Sequence, residues 1–179
     1  MGRPLMFEKL GLFFGSDEAF KGMKMEHWIK GYSYEISELM QMFREYTIRT
    51  GKYQHQISYV GDLAGLRVMS AMRMIPFLKS LVNEVESHFP ELAGKVMLIN
   101  APSFLPRLFA IVKRFLDPVT ASKISIHNGP SRKELIEAYG VDAVPMEYGG
   151  LNPVLVPAPP HSLTPEFEAQ YPPVSGEVP

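Results

Sequence analysis

The sequence predicts an α/β domain with a mainly parallel sheet. Three observations carry this. Short runs rich in β-branched or aromatic residues alternate with longer stretches of helical period. The run Lys95-Val96-Met97-Leu98-Ile99-Asn100 is apolar at nearly every position, as in a strand covered on both faces. The segments between strands are long enough for right-handed crossovers, which parallel neighbours require.

Each element has its own signal. "PLMFEKL" (4–10) reads as a short strand. "EHWIKGYSYEISELMQMFREYTIRT" (26–50) places Ile36, Leu39, Met40 and Phe43 at helical spacing. "QISYVGDL" (56–63) is a β-rich strand ended by a turn at 62–65. "RVMSAMRMIPFLKSLVNEVESHF" (67–89) is helical, with Pro76 expected to break it or to start a second segment. The strand "KVMLIN" (95–100) follows, then a helix over about 103–116, then the strand "KISIHN" (123–128). "SRKELIEAYG" (131–140) carries a capping-box pattern, Ser131 to Glu134, and a Gly140 stop.

A chain of 179 residues suffices for one domain with a real core. Eight of the 16 prolines lie after Gly150. Residues 151–179 therefore read as an extended or disordered tail, with a short helical turn expected around 165–170. The compact domain is expected over 2–150.

Composition excludes several functions. The formal net charge is −1, so no basic field points to nucleic acid. The absence of cysteine removes disulfides, thiolate metal sites and a thiol nucleophile, and it fits the cytosol. No apolar run reaches the ~18 residues of a membrane span. The five histidines show no HExxH or paired spacing, and no G-x-S-x-G, P-loop or G-x-G-x-x-G occurs. No catalytic residue, metal or cofactor is expected, so an enzyme is the remote alternative.

The helix at 103–116 is unusually apolar. Phe104, Leu105, Leu108, Phe109, Ile111, Val112, Phe115 and Leu116 sweep roughly 160°, wider than the ~100° stripe of an ordinary surface helix. Arg107, Lys113 and Arg114 share the other side. A deeply buried core helix accounts for this. So does a helix whose second apolar flank faces a cavity or bilayer, with the basic residues suited to an anionic surface.

The following segment, "LDPVTASKISI" (116–126), resembles the LDP-x-T-x-x-K-I signature of the CRAL-TRIO lipid-binding family. That family includes the yeast phosphatidylinositol transfer proteins and the tocopherol and retinaldehyde carriers. Further motifs fall in family order: "GRP-x-x-F-E-x-LG" (2–11), "DL-x-G" (62–65), "FPE-x-x-GK-x-x-x-INAP" (89–102), "KEL" (133–135) and "VP-x-E-YGG" (144–150). Each is weak alone, but the ordered set is specific.

The resemblance implies a β-sheet floor with surrounding helices and an apolar pocket for one lipid. It makes 103–116 a gate, with Phe104, Leu105, Leu108, Phe109, Ile111, Val112 and Phe115 lining the pocket and Arg107, Lys113 and Arg114 meeting the membrane. It also implies a headgroup site of Glu91, Asp117, Thr120 and Lys123. The chemistry fits: carboxylates accept from inositol hydroxyls, and Lys123 offers a cation for phosphate. The implied ligand is phosphatidylinositol or another hydrophobic small molecule, the implied location cytoplasmic with reversible membrane contact.

Two departures from the family pattern matter. The helical N-terminal lobe and its basic residues are absent before "MGRP", so the expectation is an N-terminally truncated domain. The phosphatidylcholine-binding members use a Tyr and a Ser-x-Thr pair where this chain has Met6, Ile57 and Tyr59. A second ligand of another class is therefore expected: a sterol, tocopherol, retinoid, squalene or another phospholipid. The alternative is a non-transferring scaffold for a protein partner, with a vestigial pocket.

Overall fold

The computed structural model describes residues 4–15 and 24–154. Four strands form one sheet in the order β1 (Leu5–Glu8), β2 (Ile57–Asp62), β3 (Ala93–Ile99), β4 (Ile124–Ile126), and every neighbouring pair is parallel. The expected α/β class is thus observed. Between the strands lie α1 (Leu10–Gly15), α2 (Met25–Thr50), α3 (Val68–His88), α4 (Leu105–Val112) and α5 (Pro118–Ser122), and α6 (Arg132–Tyr139) follows β4. The expected helical turn at 165–170 lies outside the described residues.

Strand alternation sorts the core into two faces. On the rear face Val60, Met97 and Ile99 pack with Leu135 of α6, Val144 and Tyr148, joined by Leu5 and Phe7. On the other face Ile57 meets Ile36 and Phe43 of α2, while Leu98 and Ile126 meet Ala71 of α3 and Leu105 and Leu108 of α4. Aromatic rings join the front helices. Phe13 and Phe14 of α1, Trp28 of α2 and Phe77 of α3 form one cluster, with Phe13 and Trp28 centroids 4.1 Å apart and Trp28 and Phe77 5.8 Å apart.

Helix α3 runs unbroken through Pro76, against expectation. Pro76 and Met72, its i−4 neighbour, both lie on the exposed side, where water can replace the missing amide donor. Met74 and Phe77 are buried on the packed side and hold the helix together. The capping box at α6 does not form either. Ser131 sits in the left-handed region at φ 49°, not in the extended backbone an N-cap needs, and its hydroxyl donates to the Gly129 carbonyl instead. The Gly140 stop is observed, at φ 87°.

The C-terminal edge of the sheet is tied by one carboxylate. Asp62 Oδ1 accepts from the Ala64 amide (2.9 Å) and from Asn100 Nδ2 (2.8 Å), and Oδ2 accepts from the Tyr148 hydroxyl (3.0 Å). Burial, and then the charge of Asp62, push the Tyr148 phenol upward, so it stays a donor. The turn after β2 seats α1. A Cβ on Gly11 would collide with the Ala64 carbonyl, and one on Gly15 with the Gly65 carbonyl. Gly150 is pressed against Val144 in the same way. Beyond it, the amides of Leu151 and Asn152 still donate to Val141 and Val144 carbonyls.

Gly11→Ala and Gly150→Ala should each lose about 1–3 kcal/mol in chemical denaturation, because backbone must shift to admit the methyl group. Gly31→Ala, at a helical position with open space around it, should gain about 0.5–1 kcal/mol. Equal shifts at all three sites would show that the close approaches carry no cost.

Candidate functional site

The front face of the sheet is less well covered than the rear. In the central strands Val60, Met97 and Ile99 point rearward and are buried. Ile57, Tyr59, Val96 and Leu98 point toward the helices and keep partial solvent access. Met6, Ile57 and Tyr59, expected to mark a second-ligand region, all lie on this floor. Met6 pairs with Tyr59 and Tyr59 with Val96 across the strands.

The floor carries a polar group that sequence reasoning missed. Glu8 closes β1 and faces the helices, since Leu5 and Phe7 of the same strand pack rearward. Its Oε2 accepts from the Tyr59 hydroxyl at 2.6 Å and from the Tyr32 hydroxyl of α2 at 2.9 Å. Glu8 is directly opposite Gly61, which has no side chain. The Tyr59 ring leans across that gap, with its Cε1 3.2 Å from where a Gly61 Cβ would stand. Burial, and then the charge of Glu8, hold both phenols well above their ordinary range. Partial desolvation, and then Glu8, also raise the Glu35 carboxyl. The available signal was a carboxylate in a strand whose other residues alternate apolar on both faces.

Two of the four expected headgroup residues, Glu91 and Lys123, meet at the opposite, N-terminal edge of the sheet, and Asp117 and Thr120 lie in the segment that leads into Lys123. Lys123 stands just before β4 and Glu91 just before β3. The Lys123 ammonium meets Glu91 Oε2 at 3.3 Å, with the Lys123 side chain mostly enclosed and that of Glu91 63 % exposed. Glu91 takes a left-handed backbone, φ 66°. Asp117 caps α5: its Oδ1 accepts from the amides of Val119 (2.8 Å) and Thr120 (3.3 Å). Pro118 favours the extended backbone of Asp117, which follows a 3₁₀ turn that has already ended at Phe115. The Asp117 amide donates to Glu86 Oε1 of α3 at 3.2 Å, a contact the sequence did not suggest. Thr120 lies one turn before Lys123, whose amide donates to its carbonyl. Among the described residues the Thr120 hydroxyl has no protein partner.

The segment between these sites is α4. The expected helix at 103–116 is shorter, because α4 ends at Val112 and tightens into a 3₁₀ turn, Lys113–Phe115. Leu105 and Leu108 are buried, Phe104, Phe109, Val112 and Phe115 are partly buried, and Ile111 is exposed. Arg107, Lys113 and Arg114 are all exposed. One flank thus packs on α3 and the turn at Leu63; of the remaining arc Ile111 is exposed, and Phe109, Val112 and Phe115 keep partial solvent access.

A family model described as the CRAL/TRIO domain matches residues 1–150. The chain belongs to the CRAL/TRIO domain family. It is 30 % identical over 162 residues to the CRAL-TRIO domain-containing protein YKL091C of Saccharomyces cerevisiae, covering 84 % of this chain and 49 % of that one. It is 30 % identical over 154 residues to the SEC14 cytosolic factor of Kluyveromyces lactis, covering 86 % and 51 %. A phosphatidylinositol/phosphatidylcholine transfer protein of Arabidopsis thaliana, SFH7, is 27 % identical over 158 residues, covering 84 % and 28 %. The chain therefore spans about half the length, or less, of these relatives. In this CRAL/TRIO domain no described helix is long and apolar enough to cross a membrane, and the described residues hold no cluster of metal-ligating side chains.

The Lys123–Glu91 pair is open to water on its Glu91 side, so Glu91→Gln should shift unfolding by about 1 kcal/mol or less. Asp117→Ala should cost about 1 kcal/mol through its lost cap, whereas Asp117→Asn keeps the cap and removes only the charge. Denaturation curves that rank the two Asp117 variants equally would contradict the capping role.

Proposed function

We propose that this CRAL/TRIO domain holds one lipid between the front of the sheet and helices α2–α4, with phosphatidylinositol as a ligand, and passes or presents it at membrane surfaces. The observation that carries this is the contact of Glu91 with Lys123 across 32 residues of chain, next to the segment that holds Asp117 and Thr120. Lys123 already faces a single carboxylate. A lipid phosphate would replace Glu91 at the ammonium, and Glu91, once released, would accept from inositol hydroxyls. The unpartnered Thr120 hydroxyl supplies a further donor. The likeness to an Arabidopsis phosphatidylinositol/phosphatidylcholine transfer protein supports the same reading.

In this proposal α4 is the gate. Its solvent-facing apolar flank would cover the ligand when closed and enter the bilayer when open, while Arg107, Lys113 and Arg114 attract an anionic surface. The protein would work in the cytosol with reversible membrane contact. Phosphatidylcholine is not the preferred second ligand, because Met6 and Ile57 offer no polar atom to a buried phosphate, and an unpaired buried polar group costs about 1–3 kcal/mol. Native mass spectrometry of the purified protein tests the reading as a whole. A stoichiometric co-purified lipid is expected, and a well-folded protein free of lipid would favour the scaffold alternative.

Thr120→Asp should abolish phosphatidylinositol pickup from liposomes. The fold should survive, because an acidic residue in the first turn of α5 suits the helix dipole. Undiminished pickup would remove the headgroup site. Replacing Arg107, Lys113 and Arg114 together by Ala should weaken binding to anionic vesicles at low salt by about tenfold or more, since each cation near such a surface is worth ~1 kcal/mol. Equal binding of the unaltered protein to neutral and anionic vesicles would leave the basic side without a membrane role.

A further inference from the structure

Glu8 places a negative charge on the floor of the proposed lipid space, and the lipid reading above is the basis for asking what it recognises. The two edges of the parallel sheet differ in chemistry. Glu91 and Lys123 precede β3 and β4 at the N-terminal edge, whereas Glu8 ends β1 near the C-terminal edge. At Glu8 only one oxygen is used. Oε2 takes both tyrosine hydroxyls, and Oε1 has no partner among the described residues. The neighbouring cation, Lys9, pairs with Glu147 at 2.7 Å.

A carboxylate is an acceptor only, and its second oxygen retains full capacity. Both phenols stay protonated and spend their donors on Oε2, so they do not offer them to an incoming phosphate. Glu35, exposed on α2, is close enough for the charge of Glu8 to help raise its carboxyl. A ligand with a negative head would meet charge repulsion in a partly desolvated place, and a pure hydrocarbon would leave Oε1 unsatisfied. A hydroxyl or an ammonium would satisfy it with a charge-assisted hydrogen bond.

We infer that the C-terminal end of this space selects a lipid whose head donates a hydrogen bond, an alcohol or an amine, and that Glu8 is the specificity-determining acceptor. Tyr32 and Tyr59 are positioning residues, which fix the carboxylate so that Oε1 faces the ligand. Among the non-phospholipid ligand classes considered, this favours hydroxyl-bearing ones such as sterols over squalene.

Four radiolabelled probes with the same alkyl chain separate the possibilities: hexadecane, hexadecanol, hexadecylamine and palmitate, each measured for retention by the protein on gel filtration at neutral pH. The alcohol and the amine should be retained about tenfold more strongly than palmitate, the scale of one hydrogen bond to a charged group, and more strongly than hexadecane. Glu8→Gln keeps the shape of the side chain and should bring palmitate close to the alcohol, with circular dichroism reporting its fold. If that variant does not fold, the comparison among probes on the unaltered protein still decides. Retention of palmitate equal to that of hexadecanol would overturn the selection by Glu8 and leave the lipid space intact. Retention of none of the four by a protein that purifies free of lipid would overturn both.

Discussion

The carboxylate of Asp62 is the constraint on which the rest of the fold depends. It ends β2 and gathers three segments far apart in sequence: its own turn, the end of β3 through Asn100, and the C-terminal segment through Tyr148. The turn so fixed presents the Ala64 and Gly65 carbonyls on which Gly11 and Gly15 of α1 rest. From α1 the aromatic cluster of Phe13, Phe14, Trp28 and Phe77 extends the same frame into α2 and α3. Tyr148 in turn stacks on Phe7 of β1, ring centroids 5.1 Å apart, while Lys9 pairs with Glu147 beside it. One anion thus ties together the sheet, the front helices and the rear cover.

This sorts the short motifs by what they do. The glycine of the first motif, the aspartate and glycine of "DL-x-G" and the tyrosine and last glycine of "VP-x-E-YGG" meet around Asp62 and Val144 and serve architecture. The glutamate of "FPE" and the "LDP-x-T-x-x-K" segment meet at the other edge of the sheet, away from that frame. Asp117 starts α5, its Oδ1 accepting from the amides of Val119 and Thr120.

The strands and their parallel arrangement were legible because each has a strong local signal in β-branched residues and spacing. The long helix α2 was legible from its apolar period. Pro76 was misread because local rules count a lost hydrogen bond but not whether water can replace it on the exposed side. Ser131 was misread because a capping box is a pattern of residue types, whereas the cap needs a backbone conformation that this turn does not adopt. That Glu91 and Lys123 share one place was implied only by the resemblance, and their ion pair was not foreseen, since nothing local links positions 32 residues apart. Glu8 was overlooked for a related reason. Its partners, Tyr32 and Tyr59, come from a helix and another strand, and Gly61 gives no hint in sequence that it clears the way for a ring.

The strands pair in the order in which they are made. With crossovers of one hand, sequential parallel strands put their connecting helices on the same side, and here α2, α3 and α4 all lie on the front. The rear of the sheet therefore waits for the last part of the domain. Val60, Met97 and Ile99 are covered by Leu135, Val144 and Tyr148, all of which follow β4. A nascent chain still on the ribosome would have the four described strands and helices α2–α4 before Leu135, Val144 and Tyr148 were made. Until Tyr148 is made, Val60, Met97 and Ile99 would lack this cover, and exposed apolar surface of that kind invites aggregation; the bond from Tyr148 to Asp62, spanning 86 residues, fastens the cover in place.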